Sequence, residues 1–186
     1  MNNKNVPLNL TLLRIFLTIP IAVGLSFQNE TINWVCVGLF YIASITDYYD
    51  GYFARRLNAV TNLGKFLDPV ADKILVSSVL TVLVALQKVD IWMVILFISR
   101  DTLIGGIRAA AAADHVIISA QTTGKWKAAL QMISIPLLMV NDLHPNFPNT
   151  RLGYGLLWLS VLLSLKSGFD YCRVFYDGRK KMKQSA

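Results

Sequence analysis

The chain has 186 residues, of which 54% are hydrophobic and only 16% charged, and it carries a formal net charge of +7. That length fits one domain, 1–186, while the balance is too apolar and too sparsely charged for an ordinary soluble fold. The basic residues are spread between apolar segments or gathered in the tail Arg179-Lys180-Lys181-Met182-Lys183, a pattern that suits anionic lipid headgroups rather than nucleic acid.

Six helical spans are predicted, at 8–26, 32–57, 63–87, 91–112, 124–141 and 151–175, several of them longer than the roughly 20 residues that cross a hydrocarbon core. The first has a single lysine ahead of it and no small-residue cleavage signature after the Ile15–Leu25 run, so it reads as a retained helix rather than a signal peptide. No span is apolar throughout: charge-free stretches such as 31–46, 74–87 and 152–165 cover only part of each, so every helix has an oily part and a polar part. In the third, Pro69 is expected in the first turn or two, where a missing amide costs least.

Polar breaks fall at Gln28-Asn29-Glu30, Lys88-Val89-Asp90 and 141–149, whereas Arg55, Arg56, Lys65, Lys125, Lys127 and the basic tail lie on the alternate side. By the positive-inside rule that side is cytoplasmic. The expected fold is an all-α integral membrane protein of six transmembrane helices, multi-pass in the cell membrane, with both termini cytoplasmic and a short basic tail at 176–186. Cys36 and Cys172 then lie toward opposite faces, which argues against a disulfide. Trp34, Trp92, Trp126 and Trp158 read as interface anchors or lipid-facing packing. His115 and His144 sit in loops without a metal-binding companion. Gly105-Gly106 and Gly153-x-Gly155 offer close helix packing, which also suits a homodimer.

Chemistry concentrates in Asp47, Asp50, Asp68 and Asp72, all within one 26-residue segment. Carboxylates in or near hydrocarbon need a compensating cation or a functional reason. Asp47 and Asp50 are three apart and Asp68 and Asp72 four apart, the spacings that put helical side chains on one face. Asp47 follows Ile32 by 15 residues and Asp72 precedes Gln87 by 15, about 22 Å along each helix, so the pairs are expected at one depth, in a polar cavity of the cytoplasmic leaflet. Gly51 and Ala54 share the face of Asp47 and leave a gap there, with Arg55 at its rim. Four neighbouring acids repel one another and take up protons unless a cation joins them. An oxygen-only donor set suits Mg²⁺ or Mn²⁺, with all-carboxylate zinc left open, and four acids suffice to bridge a pair of divalent ions suited to phosphoryl chemistry. The alternative, salt bridges to Arg55, Arg56, Lys65 and Lys73, predicts no metal dependence. A divalent-cation transporter, the alternative from another class, needs access from both faces, which acids confined to one leaflet do not provide.

The run Asp47-x-x-Asp50-Gly51-x-x-Ala54-Arg55, eight residues, Gly64-x-x-x-Asp68-x-x-x-Asp72 resembles the complete signature of the CDP-alcohol phosphatidyltransferases, membrane enzymes that displace CMP from a CDP-linked lipid by an alcohol. The resemblance implies that Asp47, Asp50 and Asp68 hold metal and that Asp72 is a metal-linked general base. It also implies that Gly51, Ala54 and Arg55 join the aspartates in facing the cytidine diphosphate.

Other polar residues inside the spans bear on the acceptor. Arg108 lies about 25 Å into the fourth helix, near the depth of the aspartates. Lys125 and Lys127 open the fifth on the same side, and Arg14 is in the cytoplasmic half of the first. Together they suit an acceptor that carries its own phosphate. The alternatives are that Arg108 pairs with Asp114 or Asp101 and that the lysines are ordinary positive-inside residues. Asn9-Leu-Thr11-Leu-Leu-Arg14, Arg100-Asp101 with Arg108, and Gly124-Lys125-Trp-Lys127-Ala-Ala-Leu-Gln131 resemble the bacterial, phosphatidylglycerol-phosphate-forming branch of that family. This implies CDP-diacylglycerol as donor and glycerol 3-phosphate as acceptor; serine, inositol phosphate or a second phospholipid are the alternatives. Asp101 and Ala128 depart from the Glu and Thr usual in that branch, and neither departure touches the aspartate signature.

Overall fold

The structure, a computed structural model, describes residues 6–56, 62–113, 122–140 and 148–185, with side chains over 11–46, 70–111, 126–140 and 148–176. Among these residues there are six α-helices and no strand: α1 (Val6–Ser26), α2 (Glu30–Arg56), α3 (Asn62–Ala85), α4 (Ile91–Ala113), α5 (Thr122–Met139) and α6 (Asn149–Ser185). Each expected span is present as a helix, and the last differs in length. The tail expected from residue 176 continues α6 to Ser185; lysine, arginine, methionine and glutamine are good helix formers, so loss of an apolar face does not end the helix. α3 is described from Asn62, and Pro69, about two turns in, leaves the Lys65 carbonyl without an intrahelical amide.

Short polar breaks set the helix ends. Asn29 caps α2, its Oδ1 accepting from the amides of Thr31 at 3.0 Å and Ile32 at 3.3 Å, and Glu30 adds negative charge to the first turn, where the helix dipole favours it. At the end of α3, the Lys88 amide donates to the Leu83 carbonyl and the Gln87 amide to that of Val84, both at 2.9 Å. This is the paired closure that requires a left-handed residue, and Gln87 supplies it at φ 56°.

Side-chain bonds between helices reveal their register. α1 and α2 are antiparallel: the Cys36 thiol donates to the Ile21 carbonyl and the Arg14 Nε to that of Ala43. α5 and α6 are antiparallel too, with Asn149 Nδ2 on the Leu137 carbonyl at 3.1 Å and Ser160 Oγ on the Lys127 carbonyl at 3.3 Å. α4 and α6 run parallel, since Tyr154 donates to Asp90 near their starts, Arg100 to the Ser164 carbonyl midway, and Arg108 lies over Tyr171 further on. Lys73 on α3 reaches Gly105 on α4, its Nζ occupying the space of the absent Cβ. Gly153 of α6 packs closely on α5: a Cβ there would sit 3.0 Å from Leu137 Cβ and 3.1 Å from the Ser134 carbonyl, whereas at Gly155 or Gly106 it would meet nothing within 4 Å.

These registers separate an oily half from a polar one. The apolar core, including Ile21, Phe40, Leu80, Met93, Leu138 and Leu157, gathers toward the end that carries Gln28, Gln87 and Asn149. Buried polar residues Arg14, Lys127, Ser164 and Ser167 lie toward the other. Large apolar side chains also face outward, among them Phe16, Trp92 and Phe169, the last 73% exposed. Among the described residues, Asn149–Tyr176 is long and apolar enough to cross a membrane, while the apolar stretches Thr11–Ser26, Glu30–Thr46 and Trp126–Met139 are shorter. Cys36 and Cys172 are free thiols.

Candidate active site

The aspartate signature falls on two successive helices. Asp47 and Asp50 lie near the end of α2, and Asp68 and Asp72 in the first half of α3, and these helices touch. Asp72 is the one acid of the four whose side chain is described; it is half-buried and acts electrostatically on Lys127. The side chains of Asp47, Asp50, Gly51, Ala54, Arg55 and Asp68, and that of Lys125, lie outside the described residues, and among the described side chains no cluster of three metal-ligating groups occurs. The donor set that the signature would bring together is all carboxylate, which fits a hard divalent ion.

Arg14 is fully buried, and its Nε donates to the Ala43 carbonyl at 3.2 Å. That oxygen, which also accepts from Thr46 Oγ1 at 2.7 Å, is the one a regular helix pairs with the amide of Asp47. The Arg14 guanidinium therefore lies one helical turn from the first aspartate.

Lys127 is held on the other side of the site. It is 8% exposed, which sets it apart from an ordinary positive-inside lysine at a membrane surface. Its Nζ lies 2.5 Å from Asp101 Oδ1 and 4.5 Å from the centroid of the Phe97 ring, so α4 supplies both a carboxylate and an aromatic face. Arg100 Nη1 approaches the same Asp101 oxygen at 2.9 Å, and Arg100 Nε donates to the Ser164 carbonyl of α6 at 2.8 Å. One turn beyond Lys127, Gln131 is buried with its Nε2 unmatched by any acceptor among the described residues. A crevice of about 190 Å³ opens between α3 and α4, with Lys73, Ser77, Phe97, Asp101 and Thr102 on its walls.

Arg108 has a different setting. It is exposed and stacks over Tyr171 at 5.5 Å, while Asp101, one of the partners considered for it, is taken by Arg100 and Lys127. Arg14, Arg108 and Lys127 thus each rest on a different neighbour.

A sequence model described as CDP-alcohol phosphatidyltransferase matches residues 4–166. This chain belongs to the CDP-alcohol phosphatidyltransferase family. It is similar to the CDP-diacylglycerol–glycerol-3-phosphate 3-phosphatidyltransferase of Bacillus subtilis, 42% identical over 133 residues that cover 72% of this chain and 69% of that protein. A protein of the same name from Rickettsia bellii is 34% identical over 94% of this chain and 98% of its own length. A third, from Haemophilus influenzae, is 31% identical over 91% and 92%.

In this CDP-alcohol phosphatidyltransferase the family match takes in the four aspartates and the Arg100, Asp101 and Lys127 assembly, and ends inside α6 two residues before Gly168. Arg100 and Asp101, read from sequence as part of the branch resemblance, are the residues that set Lys127 in place: Asp101 grips Lys127, and Arg100 joins Asp101 to α6. A signal for them existed. A charged Arg-Asp dyad inside an otherwise apolar helix demands partners, and the buried lysine 26 residues away is one.

Proposed function

We infer that this chain transfers the phosphatidyl group of CDP-diacylglycerol to glycerol 3-phosphate, forming phosphatidylglycerol phosphate and releasing CMP, a step of phospholipid biosynthesis. The observation that carries this reading is similarity sustained over 94% of the chain to a protein that bears that activity in its name, with the family match spanning the whole aspartate signature.

The proposed setting is the cell membrane, crossed six times. Outward-facing Phe16, Ile19, Leu162 and Phe169 supply a lipid-compatible surface, and exposed Trp34, Trp92 and Trp126 lie near helix ends, where indole rings favour the interface. An even number of crossings returns the C-terminus to the side of the N-terminus, and the positive-inside distribution makes that side cytoplasmic. The basic end of α6 would then meet anionic headgroups. The active-site cavity would face the cytoplasm, from which glycerol 3-phosphate enters while the acyl chains stay in the bilayer.

Asp47, Asp50, Asp68 and Asp72 are proposed to hold divalent cations, Mg²⁺ or Mn²⁺. Bound there, such ions would neutralise the diphosphate and stabilise departing CMP. Gly51 and Ala54 leave room beside the aspartates for the cytidine diphosphate, and Arg55 adds a cation at its edge. Asp72 takes the proton from the attacking hydroxyl of the acceptor. Lys127 draws in the acceptor phosphate; Arg14, Arg108 and Lys125 complete the cationic side. A homodimer is also proposed, with the open face at Gly106 available for close helix packing.

The test is an acceptor panel. Purified protein with CDP-diacylglycerol and Mg²⁺ or Mn²⁺ is given glycerol 3-phosphate, serine or inositol phosphate separately, and CMP is measured. Release with glycerol 3-phosphate is expected. Release with serine or inositol phosphate alone contradicts the acceptor, and no release with any alcohol contradicts the reaction.

A further inference from the structure

Lys127 is a long, flexible side chain, and a lysine left to itself spreads its ammonium over many rotamers. Here it is confined from two sides of α4, by the Asp101 carboxylate at 2.5 Å and by the Phe97 ring. Asp101 is in turn fixed: Arg100 grips the same oxygen at 2.9 Å, and its Nε is anchored at 2.8 Å on a backbone carbonyl of α6. The glycine at 168 leaves room for that anchor, since a Cβ there would lie 3.2 Å from Arg100 Nε and 3.4 Å from its Cγ and press on the arginine. Three helices thereby converge on one ammonium. The assembly keeps a net positive charge, since two cations share one carboxylate, and a lysine with three donors retains others after bonding Asp101.

We propose that Asp101 is a positioning residue for the acceptor: with Arg100 as a brace against α6, it fixes the Lys127 ammonium where the acceptor phosphate docks. This rests on the reading of glycerol 3-phosphate as acceptor. Positioning and simple charge predict opposite outcomes. If Asp101 only tempered the positive charge of Lys127, its neutral isostere would strengthen attraction for a phosphate dianion. If it positions Lys127, the isostere weakens acceptor binding although the site becomes more positive.

The experiment compares native protein, Asp101→Asn, Asp101→Glu and Gly168→Ala, measuring CMP release with glycerol 3-phosphate and CDP-diacylglycerol varied separately. Asp101→Asn should raise KM for glycerol 3-phosphate about tenfold, the scale of losing a charge-assisted bond, and leave KM for CDP-diacylglycerol within about twofold. Asp101→Glu, which keeps the carboxylate, should recover most of the loss. Gly168→Ala, which crowds Arg100 without touching Asp101 or Lys127, should raise the same KM about threefold. An unchanged or lowered KM for glycerol 3-phosphate in Asp101→Asn, or an equal rise for both substrates, overturns the proposal. Should Asp101→Asn not fold, an unchanged KM in Gly168→Ala does so. Native protein that uses another alcohol and not glycerol 3-phosphate overturns the acceptor reading and the positioning role with it, a result distinguishable because it appears before any variant is made.

Discussion

The Lys127 ammonium and the Asp101 carboxylate meet at 2.5 Å across the α4–α5 interface, 26 residues apart in sequence. Removing the cation tests its part in acceptor binding. Lys127→Met keeps the length and the apolar stem but loses the charge, so kcat/KM for glycerol 3-phosphate should fall by about tenfold to a hundredfold. Steady-state assays with each substrate varied in turn check this; an equal effect on both substrates would assign Lys127 to folding rather than to the acceptor.

Asp72→Asn tests the base. The amide has nearly the same shape but cannot take a proton, so turnover should fall by about a hundredfold to ten-thousandfold. Binding of CDP-diacylglycerol, followed by displacement of a fluorescent analogue, should persist at a measurable level. Unchanged turnover would remove Asp72 from the proton transfer.

Chelation separates a metal site from a set of salt bridges. Treatment with EDTA should abolish CMP release, and added Mg²⁺ or Mn²⁺ should restore it. Activity that survives exhaustive chelation would favour pairing of the aspartates with neighbouring basic residues.

Much of the architecture was legible in the sequence because apolar stretches of helix-spanning length, punctuated by polar breaks, leave little choice of element. All six helices were recoverable in that way, and the aspartate run carried the resemblance to the family to which the chain belongs. What was not legible depends on tertiary contact. Arg100 and Asp101 counted only toward the branch resemblance, with Asp101 also considered as a partner of Arg108, and nothing local says that Asp101 turns to Lys127 or that Arg100 reaches the Ser164 carbonyl. Arg108 lies two turns along the same helix from Asp101, yet it stacks on Tyr171 of α6, because α4 and α6 run in parallel there. The extension of α6 to Ser185 was missed for a simpler reason, since charge reads as a tail while helix propensity does not.

Gly153 and Gly155 of α6 should respond oppositely to alanine. At 153 a methyl group would press into Leu137, Leu138 and the Ser134 carbonyl at 3.0–3.1 Å, so Gly153→Ala should destabilise by about 1–3 kcal/mol. At 155 the space is open, and removing a helical glycine should stabilise by about 0.5–1 kcal/mol. Thermal unfolding of each variant in detergent provides the comparison; a stabilised Gly153→Ala would contradict the close α5–α6 approach.

Gln87 carries a related expectation. Its φ of 56° costs a side-chain-bearing residue about 1 kcal/mol relative to glycine, partly offset by glycine's greater freedom in the unfolded chain. Gln87→Gly should therefore leave stability unchanged or raise it by a few tenths of a kcal/mol, whereas Gln87→Val should lower it, both measurable by the same melts.

The most direct measurement is the fate of the acceptor itself. Protein in CDP-diacylglycerol vesicles is supplied with a divalent cation and ¹³C-labelled glycerol 3-phosphate, and lipid and nucleotide products are quantified together by mass spectrometry. One labelled phosphatidylglycerol phosphate should form for each CMP released. CMP released without label in the lipid would mean that water, and not the alcohol phosphate, takes the phosphatidyl group, and would contradict the proposed transfer.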